Sequence, residues 1–269
     1  MRNDAQTRCV RGPDEIFKPP SPALLALEAR AGLEFVSFLW SLPLLEQLPR
    51  GDGHPVLILP GWLAADSSTL TLRWFLRRRG YHVHGWRLGR NFGPAPDVIQ
   101  RLGDRFHSLR QRHGRKVSLI GWSLGGVYAR EIARAFPQDV RQVITLVSPF
   151  RDPMASTAAT VFARSRPGGE STWDREDLRR RLGRPLPMPA TSIYTKSDAI
   201  VAWRSCLEPD GPFSENIEVF GSHVGMGHHP LALWVVADRL AQPQGAWRPF
   251  QTSFWSRWLL GLAAARPAS

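Results

Sequence analysis

The sequence predicts an α/β fold, a three-layer sandwich with a mostly parallel sheet. Three observations predict it. Short apolar runs alternate along the chain with longer stretches of helical period, the pattern of successive βα units. The sharpest of these junctions is Gly121-Trp122-Ser123-Leu124-Gly125, set between an apolar run and a helical run. No motif repeats at a period of about 20 to 50 residues, which excludes solenoids and propellers.

Taken in order, the first 20 residues are polar and proline-rich, with no apolar core after the first charges. This is not a signal peptide, and a disordered tail is expected. Residues 21–50 are expected to hold an apolar helix. Ser21-Pro22 is a good helix start, and Leu24, Leu27, Ala31, Phe35 and Phe38 share a helical face. Glu28, Arg30 and Glu34 interrupt the run, so it is not a membrane span, and Pro43 is expected to end or kink it. The main domain is expected over 51–245. Val56-Leu57-Ile58-Leu59 is its first apolar strand, followed by the turn Pro60-Gly61-Trp62-Leu63. A helix is expected from near Asp66 to Gly80, then a strand at His82-Val83-His84-Gly85. The helix from Asp97 to His113 carries Val98, Leu102, Phe106 and Leu109 on one stripe. Val117-Ser118-Leu119-Ile120 is the next strand. The helix after it carries Leu124, Val127, Tyr128, Ile132 and Phe136 and stops at Pro137.

Further strands are expected at Val143–Val147, Ala190–Tyr194 and Asn216–Phe220. The insertion between Ser148 and Pro189 is expected to hold a helix from Ala155 to Ala163, Pro167-Gly168-Gly169, and a charged helix near Asp174. The last helix follows Pro230 and shows Leu233, Val236 and Leu240 on one stripe. Residues 246–269 close the chain with an aromatic and apolar segment, Phe254-Trp255-Ser256-Arg257-Trp258-Leu259-Leu260.

The chemistry is centred on Ser123. In G-x-S-x-G between a strand and a helix, the glycines let the backbone bend sharply and the serine is pushed out at the turn. The helix that follows points its positive end at the site. The bland alternative is a glycine-rich turn whose serine only caps the helix. A nucleophilic serine needs a base, an acid and an oxyanion hole. Asp198 lies in the loop after the strand at 190–194, on the same sheet edge as the elbow. Three histidines compete in the loop 221–230. His229 precedes Pro230 and suits a helix start. His223 comes first after the strand, between small residues, and is favoured over His228. For the oxyanion hole, one backbone N–H is expected from Leu124 and the other from Trp62, with Gly61 allowing close approach.

These residues carry a resemblance. Leu59-Pro60-Gly61-Trp62, Gly121-Trp122-Ser123-Leu124-Gly125-Gly126, Ser197-Asp198-Ala199-Ile200-Val201 and Ser222-His223-Val224-Gly225 make the chain resemble the α/β-hydrolase superfamily, and within it the smaller bacterial lipases and esterases. The resemblance covers roughly residues 54 to 242. Pro60 stands where the family often has histidine, and Ala202 where a proline often follows the Ile-Val pair. The resemblance implies an α/β-hydrolase sandwich with a short lid insertion at about 148–189. It also implies a Ser123–His223–Asp198 triad that hydrolyses esters of apolar acyl groups without a cofactor. The same triad serves acyltransferases, peroxidase-type enzymes and C–C hydrolases, and a dead hydrolase fold can bind lipid or protein.

Composition fits one globular domain: 269 residues, 43% of them apolar. The formal charge is +12, and Lys occurs only at Lys18, Lys116 and Lys196, so 32 of the 35 cations are arginine. The arginines form no single stripe. Several cluster at expected helix ends, where cations suit the dipole, so no nucleic-acid partner is expected. Attraction to anionic lipid is a stronger alternative than nucleic acid, and a general arginine bias is stronger still. Cys9 and Cys206 make no disulfide framework, and no metal-ligand spacing occurs. The expectation is a cytoplasmic enzyme on a small-molecule ester or lipid with no obligate protein partner; residues 22–45 and 254–260 are expected to pack on the domain or on each other, the alternative being peripheral membrane contact.

Overall fold

The computed structural model describes residues 17–157 and 180–251. The expected tail up to residue 16, the insertion helix beyond Thr157, the helix near Asp174, Cys9 and the aromatic segment at 254–260 lie outside the described residues.

Six strands form one sheet: β1 Pro55–Leu59, β2 His82–Gly85, β3 Val117–Trp122, β4 Val140–Leu146, β5 Ala190–Tyr194 and β6 Ser214–Glu218. Their order is β2-β1-β3-β4-β5-β6, and every pairing is parallel. β4 begins three residues before the expected Val143. β6 is offset toward the N-terminus, although Val219 N–H still donates to Tyr194 O at 2.8 Å.

The helices that lie wholly within the described residues are α1 Ala31–Leu45, α2 Leu70–Arg78, α3 Pro96–His113, α4 Leu124–Ala135 and α5 Pro230–Ala241. Strand residues alternate between faces, and the core divides accordingly. Val56, Ile58, Ile120 and Ile144 face one layer, with Phe38 of α1, Phe75 of α2 and Val236 of α5. Leu57, Leu59, Leu119 and Val143 face the other, with Phe106 of α3 and Val127 of α4. The result is a three-layer α/β sandwich.

The N-terminal segment departs from expectation in an instructive way. Pro22–Arg30 is a 3-10 segment, capped where Ser21 Oγ accepts from Ala23 N–H at 3.4 Å, and α1 follows it. The face read as apolar docks only in part: Phe38 is buried and Leu24 and Ala31 are half-buried, but Leu27 and Phe35 are exposed, and Glu34, only 8% exposed, takes a place on the docked side. Pro43 does not stop the helix, which runs on to Leu45. The buried Arg79 guanidinium satisfies its end, donating to the carbonyls of Leu45, Glu46 and Leu48 at 3.4, 2.6 and 2.7 Å. Arg79 therefore acts on a neighbouring helix terminus and not on its own.

Candidate active site

The carboxyl ends of the parallel strands converge on one edge, where this architecture builds its sites. Ser123 follows β3 directly, with φ 52° and ψ −123°, a conformation that L residues adopt only under constraint. The surroundings impose it. Ser123 N–H donates to Leu146 O at 2.8 Å, and Gly126 N–H donates to Ser123 O at 3.0 Å. The turn is packed to the backbone: a Cβ on Gly121 would sit 2.2 Å from Gly126 Cα, and one on Gly125 would sit 2.1 Å from Leu59 O. Neither neighbour is a flexible side chain, so both glycines are required for close approach. The serine itself is half-buried at the start of α4.

The loop after β1 lies against it. A Cβ on Gly61 would be 3.1 Å from Ser123 Cβ and 3.7 Å from its Oγ. This brings Trp62, the next residue, to the neighbourhood of Ser123 and Leu124. The loop is pinned by Asn91, a buried residue the sequence reading missed. Asn91 Nδ2 donates to Pro60 O at 3.0 Å, Leu63 N–H donates to Asn91 O at 2.7 Å, and Asn91 N–H donates to Ala64 O at 2.8 Å. Its Oδ1 accepts from Tyr128 Oη at 3.2 Å and from Gly93 N–H at 3.1 Å. Leu63 takes φ 57° at this turn.

Asp198 and His223 meet. His223 Nδ1 and Asp198 Oδ2 are 2.8 Å apart, and both side chains are buried. With the carboxylate as acceptor, Nδ1 carries the proton and Nε2 is left as the basic nitrogen. The other Asp198 oxygen accepts from Ile200 and Val201 N–H groups, each at 2.8 Å, which fixes the carboxylate's orientation. Burial pulls the His223 pKa down, but the charge and hydrogen bond of Asp198, with the charge of Glu28, outweigh it and raise the pKa. The site thus favours the imidazolium that a general base becomes.

The rival histidines are otherwise engaged. His228 Nε2 lies 3.0 Å from the Ala31 carbonyl and packs edge-on against Phe35. His229 is the N-cap of α5 and accepts from Leu231 N–H at 3.3 Å. Trp122 supports the histidine loop from beneath: its Nε1 donates to His223 O at 3.1 Å, and its ring lies where a Cβ on Gly227 would be, 2.3 Å away. The remaining supports come from the N-terminal segment. Glu28, Arg30 and Glu34, read from the sequence as interruptions of an apolar stripe, all bond to these two loops.

Among the described residues no group of three or more His, Cys, Asp or Glu could hold a metal ion, and no helix is long and apolar enough to cross a membrane. Cys206 is buried, and burial raises its thiol pKa well above the usual value.

A family model described as the alpha/beta hydrolase family matches residues 56–266. A pimeloyl-[acyl-carrier protein] methyl ester esterase of Shewanella woodyi is 32% identical over 98 residues, 36% of this chain and 37% of the relative, so the match spans little more than a third of that protein's length. Among solved structures, Aspergillus fumigatus lipase B superposes with a TM-score of 0.57 at 16% identity, over 72% of this chain and 54% of that one. One of the metagenome-derived lipolytic enzymes LipS and LipT gives 0.56 at 19% identity, over 72% of this chain and 95% of the other. A Bacillus licheniformis lipase gives 0.53 at 15%, over 73% and 95%.

Proposed function

The chain belongs to the alpha/beta hydrolase family, and from that premise we propose that it is a serine esterase acting on carboxylic esters with apolar acyl groups. The observation that carries this reading is the buried 2.8 Å hydrogen bond between Asp198 and His223, on the sheet edge that also bears the strained Ser123. Ester hydrolysis in general is supported by relatives that are lipases and a methyl ester esterase.

The mechanism follows from the residues. His223 Nε2 takes the Ser123 hydroxyl proton as Oγ attacks the ester carbonyl. Asp198 holds the tautomer and stabilises the imidazolium. Leu124 and Trp62 N–H groups receive the oxyanion. The imidazolium then gives its proton to the leaving alcohol. Water, deprotonated in turn by His223, releases the acyl group. Leu63 and Val224, each next to a proposed site residue, are exposed apolar side chains and support an apolar acyl group.

The outward side of α1 supports contact with an anionic lipid surface. Leu33, Val36, Trp40 and Leu44 recur at helical spacing, with Leu33 72% and Trp40 83% exposed, on a chain of formal charge +12.

The test is labelling with a fluorophosphonate beside kinetics on p-nitrophenyl esters of rising chain length. Labelling of Ser123 and preference for longer chains are expected; an unlabelled protein would overturn the enzymatic reading, and a preference for acetate the apolar one. Sedimentation with anionic vesicles should show binding that added salt weakens. No binding at low salt would remove the membrane contact.

A further inference from the structure

We infer that Glu28, Arg30 and Glu34 form a positioning clamp that holds the acid loop and the histidine loop at one fixed spacing. The inference rests on the Ser123–His223–Asp198 reading and assigns a role to a segment outside the matched family model, which begins at residue 56.

The contacts fall on both neighbours of both residues. Before Asp198, Arg30 Nη2 donates to Ser197 O at 2.8 Å and to Ser197 Oγ at 2.9 Å. After Asp198, Ala199 N–H donates to Glu28 Oε1 at 3.2 Å. Before His223, Ser222 N–H and Oγ donate to the two oxygens of Glu34 at 2.7 and 2.5 Å. After His223, Val224 N–H donates to Glu28 Oε2 at 2.9 Å. One carboxylate, Glu28, spans both loops. One guanidinium nitrogen does the same, since Arg30 Nη2 also donates to Gly221 O at 2.7 Å.

The clamp is itself held. Arg30 and Glu34 face each other at 3.7 Å, one helical turn apart. Glu34 is buried, and the site is shaped to it: a Cβ on Gly225 would sit 1.6 Å from Glu34 Oε2. The histidine loop closes beneath it, where Gly225 N–H donates to Ser222 Oγ at 2.9 Å.

Physical chemistry gives the clamp its purpose. The two loops leave adjacent strands β5 and β6, but beyond the ladder each would be free to shift. A base and its orienting carboxylate act only when their geometry is held within about 0.5 Å. A displacement near 1 Å costs roughly a hundredfold in rate. Charge-assisted hydrogen bonds to backbone groups are stronger than neutral ones and fix main chain and not merely side chain. The charged groups facing His223 are Asp198 on its own sheet edge and Glu28 from the N-terminal segment, both favouring the cation.

The experiment uses the full chain and the p-nitrophenyl ester that the wild type turns over best. Glu28→Ala is expected to lower kcat by roughly ten- to a hundredfold with KM little changed. The acid limb of kcat/KM is expected to move to lower pH, because removing the Glu28 charge lowers the His223 pKa. Glu28→Gln, close to isosteric, keeps one acceptor oxygen but loses the charge. It should show the same limb shift with a smaller loss of kcat, and it decides the matter if Glu28→Ala fails to fold. Ser37→Ala, on the exposed side of α1, should change neither. Wild-type kcat and an unmoved pH limb in a folded Glu28→Gln protein would overturn the clamp. Failure of the wild type to react with a fluorophosphonate would instead overturn the serine hydrolase reading beneath it.

Discussion

Among the described residues, a hydrogen-bonded Ser–His–Asp chain lies at the amino end of β3, opposite the sheet edge that carries the proposed Ser123–His223–Asp198 triad. At the carboxyl end stand Ser123, His223 and Asp198. At the other end, His54 Nε2 lies 2.8 Å from Ser118 Oγ, and His54 Nδ1 lies 2.5 Å from Asp52 Oδ1. The connectivity matches a triad, yet the physics is opposite. Ser118 and His54 are fully buried, and Ser118 is an ordinary residue within a strand, whereas Ser123 is half-buried and held at positive φ. Asp52 is shared with Arg115 and Arg141, each at 2.7 Å. Burial and the Arg141 charge push His54 down to about 4, against the pull of Asp52. His223 is shifted the other way, because Asp198 and Glu28 favour its cation and outweigh burial. A base must become a cation in the transition state, so the field around the imidazole matters as much as the hydrogen-bond pattern.

The comparison can be broken most sharply at the serines. Ser123→Ala should lower kcat/KM by roughly ten-thousand-fold or more and abolish fluorophosphonate labelling. Ser118→Ala should leave turnover alone and cost roughly 1 to 3 kcal/mol of stability, since it leaves a buried nitrogen without its partner. Urea unfolding and steady-state kinetics on both variants check this. Catalysis lost in Ser118→Ala with the fold intact would erase the distinction. The carboxylates come next. Asp198→Asn should cost roughly a thousand- to ten-thousand-fold in kcat, because an amide can stabilise the wrong tautomer. Asp52→Asn should leave kcat near wild type.

The histidines sharpen the contrast through pH. His54 has a folded pKa of about 4 against a usual 6.5, so it remains neutral in the fold. The unfolded chain binds the extra proton first, and stability should fall by on the order of 3 kcal/mol as pH drops through that window. His223, with a raised pKa, has the opposite sign: its contribution is full below the unfolded value and is lost as pH rises through the folded one. Because the neutral ring is the base, kcat/KM should rise only above that raised pKa. Thermal midpoints and rate profiles over the same buffers check both. The smallest effect is expected from His228→Ala, since that ring bonds to the Ala31 carbonyl, while His223→Ala should be severely impaired.

The legible parts of this molecule were those with local signals. Alternating apolar strands and striped helices follow from side-chain period, and the Gly121–Gly125 turn announces itself by glycines that the packing requires. Asp198 and His223 could be located by their place after strands. What the sequence hid was long-range. Glu28, Arg30 and Glu34 looked like defects in an apolar stripe because their partners are backbone groups far along the chain. Asn91 gave no signal, since its partners on the Pro60 loop are recognised only in space. The Asp52–His54–Ser118 network was likewise invisible, as nothing local links residue 54 to residue 118.

The clamp also bears on how the molecule comes into being. Arg30 reaches a partner 167 residues later, and Glu28 one 196 residues later. Contacts of such separation form late, because the intervening chain must first be ordered. During synthesis the segment 22–45 emerges before either loop; its partners Ser197 and Ala199 follow much later, and Ser222 and Val224 later still. The strands and the Ser123 turn can fold before then, but the proposed clamp fixes the spacing of Asp198 and His223 only once both loops have met residues 28–34. On the proposed reading, a nascent chain gains activity only after the loop carrying Ser222 and Val224 has emerged and met residues 28–34.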